Sequence, residues 1–157
     1  MSNGSLKLLL IEDSPGDARL IQEELSIGMD EFFDVVTATT LQEALTNIEK
    51  DKFDVILSDL GLPDSQGIET FLKIHDKEKG SPIIILSNNK DESLALSAVQ
   101  KGAQDYLVKG EVDKTLLTRT IRHAIERHKV YKELQESKAE LEKYKQLAEE
   151  AISKTSA

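Results

Sequence analysis

Five polar side chains stand where runs of apolar residues end, and they are the groups in this chain best suited to chemistry. They are Glu12 and Asp13 after residues 8–11, Asp59 after 55–57, Ser87 after 83–86, and Lys109 after 106–108. Continuous runs of Leu, Ile and Val predict parallel strands buried on both faces, and parallel sheets bind ligands beyond the carboxyl ends of their strands. We therefore expect the five side chains to share one pocket.

The expected pocket combines three carboxylates with a hydroxyl and an ammonium group. Carboxylates packed together repel one another, and a small hard cation such as Mg²⁺ relieves that repulsion through one or two carboxylate ligands and water. An ammonium group beside them suits a phosphoryl oxygen. An aspartate that attacks phosphorus and accepts a phosphoryl group would use all of these side chains.

Each residue also has an ordinary structural interpretation. Glu12 and Asp13 could form a solvated strand end before a helix, whose N-terminus favours acids. Ser87 could be a turn hydroxyl, and Tyr106 could be a core aromatic residue with one solvent-exposed edge. The three histidines lack metal-ligand spacing and are interpreted as surface or packing residues: His75, His123 and His128.

Taken together, residues 7–127 resemble the receiver domain of two-component response regulators. The resemblance implies that Asp59, in the string Ser58-Asp59-Leu60-Gly61-Leu62-Pro63-Asp64, is the phosphoacceptor and that Lys109 binds the phosphoryl group. It implies Ser87 and Tyr106 as a switch pair, and Gly67 matches a family glycine. It also implies a Mg²⁺ site made by Asp13, Asp59 and the Gly61 backbone carbonyl, with Glu12 acting through water.

Two positions depart from the family pattern. Lys109 is followed by Gly110 where the family has proline in a cis peptide. A cis bond before a non-proline residue costs roughly 3 kcal/mol, so we expect a trans peptide. Asn88 stands where many relatives carry a small residue, which leaves the lifetime of the phosphorylated state open.

The pattern along the chain predicts an α/β fold, a three-layer doubly wound parallel sheet of five strands with an extended C-terminal helix. Helix starts are predicted at Ser14-Pro15 and at Thr40, and helix stops at Gly80 and Gly102. The family resemblance implies the strand order 2-1-3-4-5. Strands are predicted at 7–11, 33–37, 53–58, 82–87 and 105–108, and helices at 15–27, 41–51, 68–79, 92–101 and from 112 onward.

Of 157 residues, we assign 1–127 to the receiver domain and 128–157 to a helical extension.

The composition of the chain excludes several classes of site and function. Without cysteine there is neither a disulfide nor a thiolate metal site. A net charge of −9 argues against a nucleic-acid surface. No apolar run approaches the ~18 residues of a membrane span, and residues 1–5 lack a signal-peptide core, so we expect a cytoplasmic protein.

The resemblance also implies partners. A sensor histidine kinase or phosphotransfer protein would donate the phosphoryl group and dock on a rim near Asp59. Asp105 and Arg119 match a face where some relatives form cross-subunit ion pairs, which predicts a homodimer. Two other functions stay open: a phosphate hydrolase, which would need a second acid where Gly61 stands, and a receiver-like scaffold that is never phosphorylated. The docking rim comprises Pro15, Gly16, Asp17, Gly110 and Glu111.

From residue 112 to 152 the chain has no Gly or Pro, which predicts that the fifth helix continues into the extension. Beyond Val130, residues recur at spacings of four and three, the a/d pattern of a short parallel coiled coil. The alternative is a charged helix that frays, because one serine and two alanines weaken the seam. The a/d residues are Leu134, Ser137, Leu141, Tyr144, Ala148 and Ala151, with Glu133 and Glu140 at g and Lys138 and Lys145 at e.

Overall fold

The computed structural model describes residues 5–26, 32–78 and 80–155. Five parallel strands form one sheet in the order β2-β1-β3-β4-β5. The predicted fold class and strand order are therefore confirmed. The strands are β1 (Ser5–Ile11), β2 (Phe32–Ala38), β3 (Val55–Asp59), β4 (Ile83–Ser87) and β5 (Asp105–Val108).

Five α-helices connect and extend the strands. They are α1 (Pro15–Ser26), α2 (Leu41–Lys50), α3 (Ile68–Lys77), α4 (Glu92–Gln100) and α5 (Lys114–Thr155). Between β3 and α3 lies a short antiparallel hairpin that pairs Gly61–Leu62 with Ser65–Gln66. Single 3-10 turns cover Asn89–Asp91 and Lys109–Glu111.

Alternate residues of each strand enter two separate apolar layers. Leu9, Ile11 and Ile56 pack with residues of α2, α3 and α4, whereas Leu8 and Leu10 pack with residues of α1 and α5. Side chains of successive strand residues point to opposite faces, so a strand covered on both sides must be apolar throughout. The sheet is thus the middle layer of three.

Helix ends follow the predicted caps with one exception. The Ser14 and Thr40 hydroxyls accept hydrogen bonds from the backbone N–H groups of Asp17 and Glu43, at 3.3 and 3.1 Å, as predicted for N-caps. Gly102 follows α4 with φ of +127°, a conformation that favours glycine. Gly80, in contrast, lies beyond the end of α3.

Several predicted boundaries were wrong by one to two residues. The fifth helix begins at Lys114 and not at residue 112, because Asp113 caps it: the Asp113 carboxylate accepts the Leu116 N–H at 2.8 Å. The third helix ends at Lys77, where Glu78 is extended and its carboxylate accepts the Gly80 N–H. Phe53 is buried but precedes β3. Residues 27 and 79, predicted as helix ends, lie outside the described residues.

Contacts divide the chain into two compact units, residues 1–125 and 126–157. In the second unit, residues 126–155 are helical, and every side chain except half-buried His128 is exposed. The division at residue 125 lies near the predicted boundary at 127. Within the described part of the chain, no helix is long and apolar enough to span a membrane.

Candidate functional site

Lys109 lies at the centre of an ion-pair network. Its Nζ lies 2.7 Å from Asp59 Oδ2, 2.7 Å from Glu12 Oε1 and 3.2 Å from Asp17 Oδ2. The Lys109 side chain is 17% exposed and that of Glu12 is 1% exposed, so these charges are largely shielded from solvent. Shielded charge pairs are weakened less by salt than pairs in open solvent.

Strand register brings these residues together. Asp59 is the last residue of β3 and pairs with Leu86 of β4, while Ser87, the last residue of β4, pairs with Val108. Glu12 and Asp13 directly follow β1, and Lys109 directly follows β5. Because parallel strands end at the same edge, the side chains meet in the crevice beyond it. The predicted clustering of the three carboxylates with Lys109 matches this geometry.

The carboxylates of Glu12, Asp13 and Asp59 form a possible cation site. Each offers an oxygen that lies within 4.8 Å of the others' oxygens. An all-oxygen set with one buried, one half-buried and one exposed carboxylate suits Mg²⁺, which keeps several waters and takes few protein ligands. The donor set therefore fits the predicted ion.

Burial changes the acid–base properties of the network. The pKa of Glu12 is raised to about 7, chiefly by burial; the hydrogen bond with Lys109 lowers this pKa in part, and the charge of Asp59 adds to the rise. Burial alone would lower the pKa of Lys109, but its hydrogen bonds to Asp59 and Glu12 outweigh burial and raise that pKa. Lys109 is therefore a permanent cation beside Asp59 at neutral pH.

The segment after Asp59 holds its carboxylate in place. The Gly61 N–H donates to Asp59 Oδ1 at 3.0 Å, and the Gly67 N–H donates to the Leu60 carbonyl at 2.8 Å. Gly67 has φ of +76°, where a side chain is strained, which explains the glycine there. One oxygen of Asp59 thus faces a backbone donor and the other faces Lys109.

Ser87 is 4% exposed, and its Oγ has no hydrogen-bond partner among the described residues. A buried hydroxyl without a hydrogen-bond partner lowers stability, so such a group usually hydrogen-bonds to a water or to a ligand oxygen. Asn88, the larger residue at the family's small position, is turned toward the following 3-10 turn and accepts the Lys90 N–H at 3.0 Å. Its side-chain oxygen is engaged there.

Comparison with known proteins identifies the family. The family described as response regulator receiver domain matches residues 8–122, more than half of the chain. The chain belongs to this family. It is a receiver domain homologous to those of two-component response regulators, a family of phosphorylation-dependent switches.

Individual relatives agree. The transcriptional regulatory protein GlrR of Escherichia coli K12 is 34% identical over 126 residues, 80% of this chain and 28% of that protein. The KDP operon transcriptional regulatory protein KdpE of the same organism is 36% identical over 74% of this chain and 52% of its own length. The chain spans about half or less of these relatives. A receiver domain protein from Clostridium thermocellum superposes with a TM-score of 0.69 at 29% identity, over 80% of this chain and 98% of that one.

On this receiver domain, Tyr106 lies beside a groove between α4, β5 and α5. Its hydroxyl donates to Glu92 Oε2 at 3.0 Å, and this hydrogen bond is the main reason why the pKa of Tyr106 is raised. Asp105 lines the same groove and its carboxylate accepts the Tyr106 N–H. Arg119 is exposed on α5. The switch role of Tyr106 and the dimer role of Asp105 and Arg119 remain predictions.

The residues of the predicted docking rim have two kinds of environment. Pro15, Gly16 and Gly110 are exposed, and the Lys109–Gly110 peptide is trans as expected. Asp17, however, reaches Lys109 Nζ and so also belongs to the ion-pair network of the site. The sequence analysis did not anticipate this contact, although an acid in the first turn of α1 beside the carboxyl end of β1 was the signal for it.

Asp64 has a structural role that its place in the sequence did not indicate. Its two carboxylate oxygens accept the N–H groups of Leu41 and Gln42, at 2.8 and 3.0 Å, and so cap α2 from 22 to 23 residues downstream. These hydrogen bonds lower the pKa of Asp64. The Leu-Pro-Asp string after the acceptor thus anchors the loop of the site to α2.

Proposed function

We propose that this chain is a phosphorylation-dependent response regulator whose phosphoacceptor is Asp59. The observation that carries the proposal is the contact of Lys109 Nζ with Asp59 Oδ2 beside two further carboxylates. A cation held against one oxygen of an acid suits a site that must neutralise added phosphoryl charge. The donor would be a phosphohistidine of a sensor histidine kinase or phosphotransfer protein.

In the proposed reaction, a carboxylate oxygen of Asp59 attacks phosphorus and forms the O–P bond of an acyl phosphate. The N–P bond of the donor phosphohistidine breaks, and its electron pair stays on the imidazole nitrogen. Lys109 neutralises charge on the phosphoryl oxygens, and Ser87 supplies the hydroxyl that hydrogen-bonds one of them. The buried and unpartnered Ser87 Oγ supports that role.

Mg²⁺ would be held by Asp13, Asp59 and the Gly61 carbonyl, with Glu12 through water, and would supply charge neutralisation during the transfer. The shielding of Glu12 and the proximity of the three carboxylates support this assignment. Glu12 also fixes Lys109 through their 2.7 Å contact. The chain modifies itself and is a switch in our proposal, not an enzyme acting on other substrates.

We propose that the signal passes from Ser87 to Tyr106. Bonding of Ser87 to the phosphoryl group would draw its loop inward and let Tyr106 exchange its hydrogen bond with Glu92 for a more buried position. The groove beside α4, β5 and α5 would change shape, which is the two-state element such a switch needs. Asp105 and Arg119 would then contribute to a homodimer face.

The remaining proposals concern partners and location. The kinase or phosphotransfer protein would dock on the rim of Pro15, Gly16, Asp17, Gly110 and Glu111, which borders Asp59. A net charge of −9 supports a chain that does not itself bind nucleic acid. We place the chain in the cytoplasm without contact to a membrane.

Intact-mass spectrometry after incubation with Mg²⁺ and acetyl phosphate tests the acceptor. Wild type should gain the mass of one phosphoryl group, and Asp59→Asn should gain none, because an amide does not attack phosphorus. Asp76→Asn, which changes an exposed carboxylate on α3, should label like wild type. Chelation of Mg²⁺ should suppress labelling of wild type and of Asp76→Asn. Equal labelling of wild type and Asp59→Asn would exclude Asp59 as the acceptor.

A further inference from the structure

The second unit carries apolar side chains that nothing within it covers. Along residues 126–155, the larger ones are each more than half exposed, up to 70% for Leu141. An exposed stripe of this kind marks an interaction surface, because soluble proteins bury such residues where they can. The stripe comprises Val130, Tyr131, Leu134, Leu141, Tyr144, Leu147 and Ile152.

We infer that a second copy of this chain covers the stripe in a parallel coiled coil of identical register, in which Leu147 of each chain packs against Ile152 of the other. The inference goes beyond the proposed homodimer by specifying a coiled coil of two helices, their parallel direction and their register. It is independent of phosphorylation at Asp59.

The first support is a hollow on the helix surface. Ser137, Glu140, Leu141 and Tyr144 line it, at the spacing i, i+3, i+4 and i+7. In a coiled coil each knob residue enters a hole formed by four residues of the facing helix. With Leu134 at a, these four occupy positions d, g, a and d, the hole that receives an a residue from a parallel partner. Leu141 of the second copy is that residue.

The second support is charge complementarity. In a parallel pair, each g residue faces the e residue five positions further along the partner. Glu133 then faces Lys138, and Glu140 faces Lys145. In an antiparallel pair, g faces g and e faces e, so glutamates would meet glutamates and lysines would meet lysines. The charges therefore favour the parallel arrangement.

The third support is the pair that follows the two ion pairs. Leu147 occupies the next g position and Ile152 the next e position, and both are exposed. In identical register the three g–e pairs from residue 133 onward match: two are ionic and one is apolar. A shift of one heptad would set Glu140 against Ile152 and leave Leu147 without a partner. Leu147 and Ile152 thus specify the register that the charges alone do not.

Cysteine cross-linking tests direction and register in the full chain, which has no native cysteine. Ser137→Cys and Ala151→Cys each place one thiol at a d position, where facing Cα atoms approach the roughly 5.5–6 Å of a disulfide. Under mild oxidation both variants should form disulfide-linked dimers. Ala139→Cys, at the outward f position, is the matched control and should not. An antiparallel pair in any one register can link only one of the two d variants.

Sedimentation equilibrium of the full chain supplies the energetic test. Glu140→Lys and Lys145→Glu should each weaken the dimer about tenfold, since two attractive pairs become repulsive, and the double variant should restore it. Leu147→Gln should weaken it at least tenfold by removing apolar burial, whereas Ala139→Gln should not.

The outcomes separate the proposals. A monomeric wild-type chain would overturn the inferred coiled coil, and it would leave the proposed phosphorylation-dependent face of Asp105 and Arg119 in place. A dimer in which either d variant fails to cross-link would overturn only the geometry. Neither result bears on labelling of Asp59, which the mass measurement decides independently.

Discussion

Apolar side chains have opposite environments in the two units. In the first unit Leu10 and Ile56 are completely buried between helical layers, whereas in the second Leu141 and Tyr144 are 70% and 60% exposed. Ion pairs differ in the same way: Lys109 is held among carboxylates at 17% exposure, while Lys138 and Lys145 are fully on the surface. The receiver unit supplies its own packing partners, and the helical unit presents one half of an interface.

The same residue types therefore have different roles in the two units. A leucine in the receiver sheet stabilises the fold, and we propose that a leucine in the helical unit stabilises a dimer. In the same proposals, the shielded Lys109 acts in phosphoryl transfer, and the exposed lysines of the helical unit select the partner. Two substitution pairs test this division, and a third pair compares two carboxylates within the receiver unit; the largest expected effect comes first.

Matched leucine truncations should separate folding from assembly. Leu10→Ala should lower the free energy of unfolding of the receiver unit by about 2–5 kcal/mol, because it removes buried contacts and leaves a cavity. Leu141→Ala should change it by less than about 0.5 kcal/mol. Hydrogen exchange of β1 and β3 amides in increasing urea measures this free energy in both variants. Equal losses would mean that the two units are not independent in stability.

Matched lysine substitutions should separate chemistry from assembly. Lys109→Gln should slow labelling by acetyl phosphate by roughly a hundredfold, the cost of losing one positioned charge at a developing anion. Lys145→Gln should leave the labelling rate unchanged. Time-resolved intact-mass spectrometry gives both rates. A normal rate in Lys109→Gln would show that its ion pairs with Asp59 and Glu12 are structural only.

The smallest effect concerns a cap on the exposed edge of the receiver unit. Asp64→Asn removes one of the two acceptors that hold the N–H groups of Leu41 and Gln42, so the midpoint of urea unfolding should fall slightly. The pKa of Asp64 is lowered in the folded state, so its stabilisation is complete above the unfolded value of about 3.9. It is lost as the pH falls through the lower, folded pKa.

Urea titrations at neutral and acidic pH measure this difference. The gap between wild type and Asp64→Asn should be full at pH 7 and should shrink below about pH 4. Asp76→Asn, an exposed carboxylate of α3, is the control for general charge effects. A gap that grows toward acid pH would contradict the cap.

The strands were predictable because their signal is local. Residues 8–11 and 83–86 are apolar throughout, a pattern that a strand covered on both faces needs, and their short length favours a strand over a buried helix. The carboxylates and Lys109 were predictable for the same reason, since each stands at the end of such a run. The strand order was not available from periodicity, which says nothing about which strands are neighbours, and came from the family resemblance.

Two kinds of feature were not evident from the sequence: contacts between residues distant along the chain, and exposed apolar residues outside the a and d positions. Asp17 meets Lys109 across 92 positions, and Asp64 caps a helix that precedes it by more than 20 residues. Leu147 and Ile152 were overlooked because a strict a/d count omits the flanking e and g positions. The start of α5 at Lys114 depends on the Asp113 side chain, which caps the helix, and the sequence pattern did not indicate this cap.

By itself, the sequence determined which segments must be buried, where their polar ends fall and that residues 130–152 form a helix, because apolar periodicity follows from backbone geometry alone. Only the tertiary structure decided that Lys109 pairs with Asp17 as well as Asp59, that Asp64 serves α2, and that Ser87 Oγ is buried without a partner among the described residues. Those contacts depend on the β-α-β crossover connections, which bring the ends of separate strands to one edge of the sheet. No local sequence pattern specifies which strand ends become neighbours.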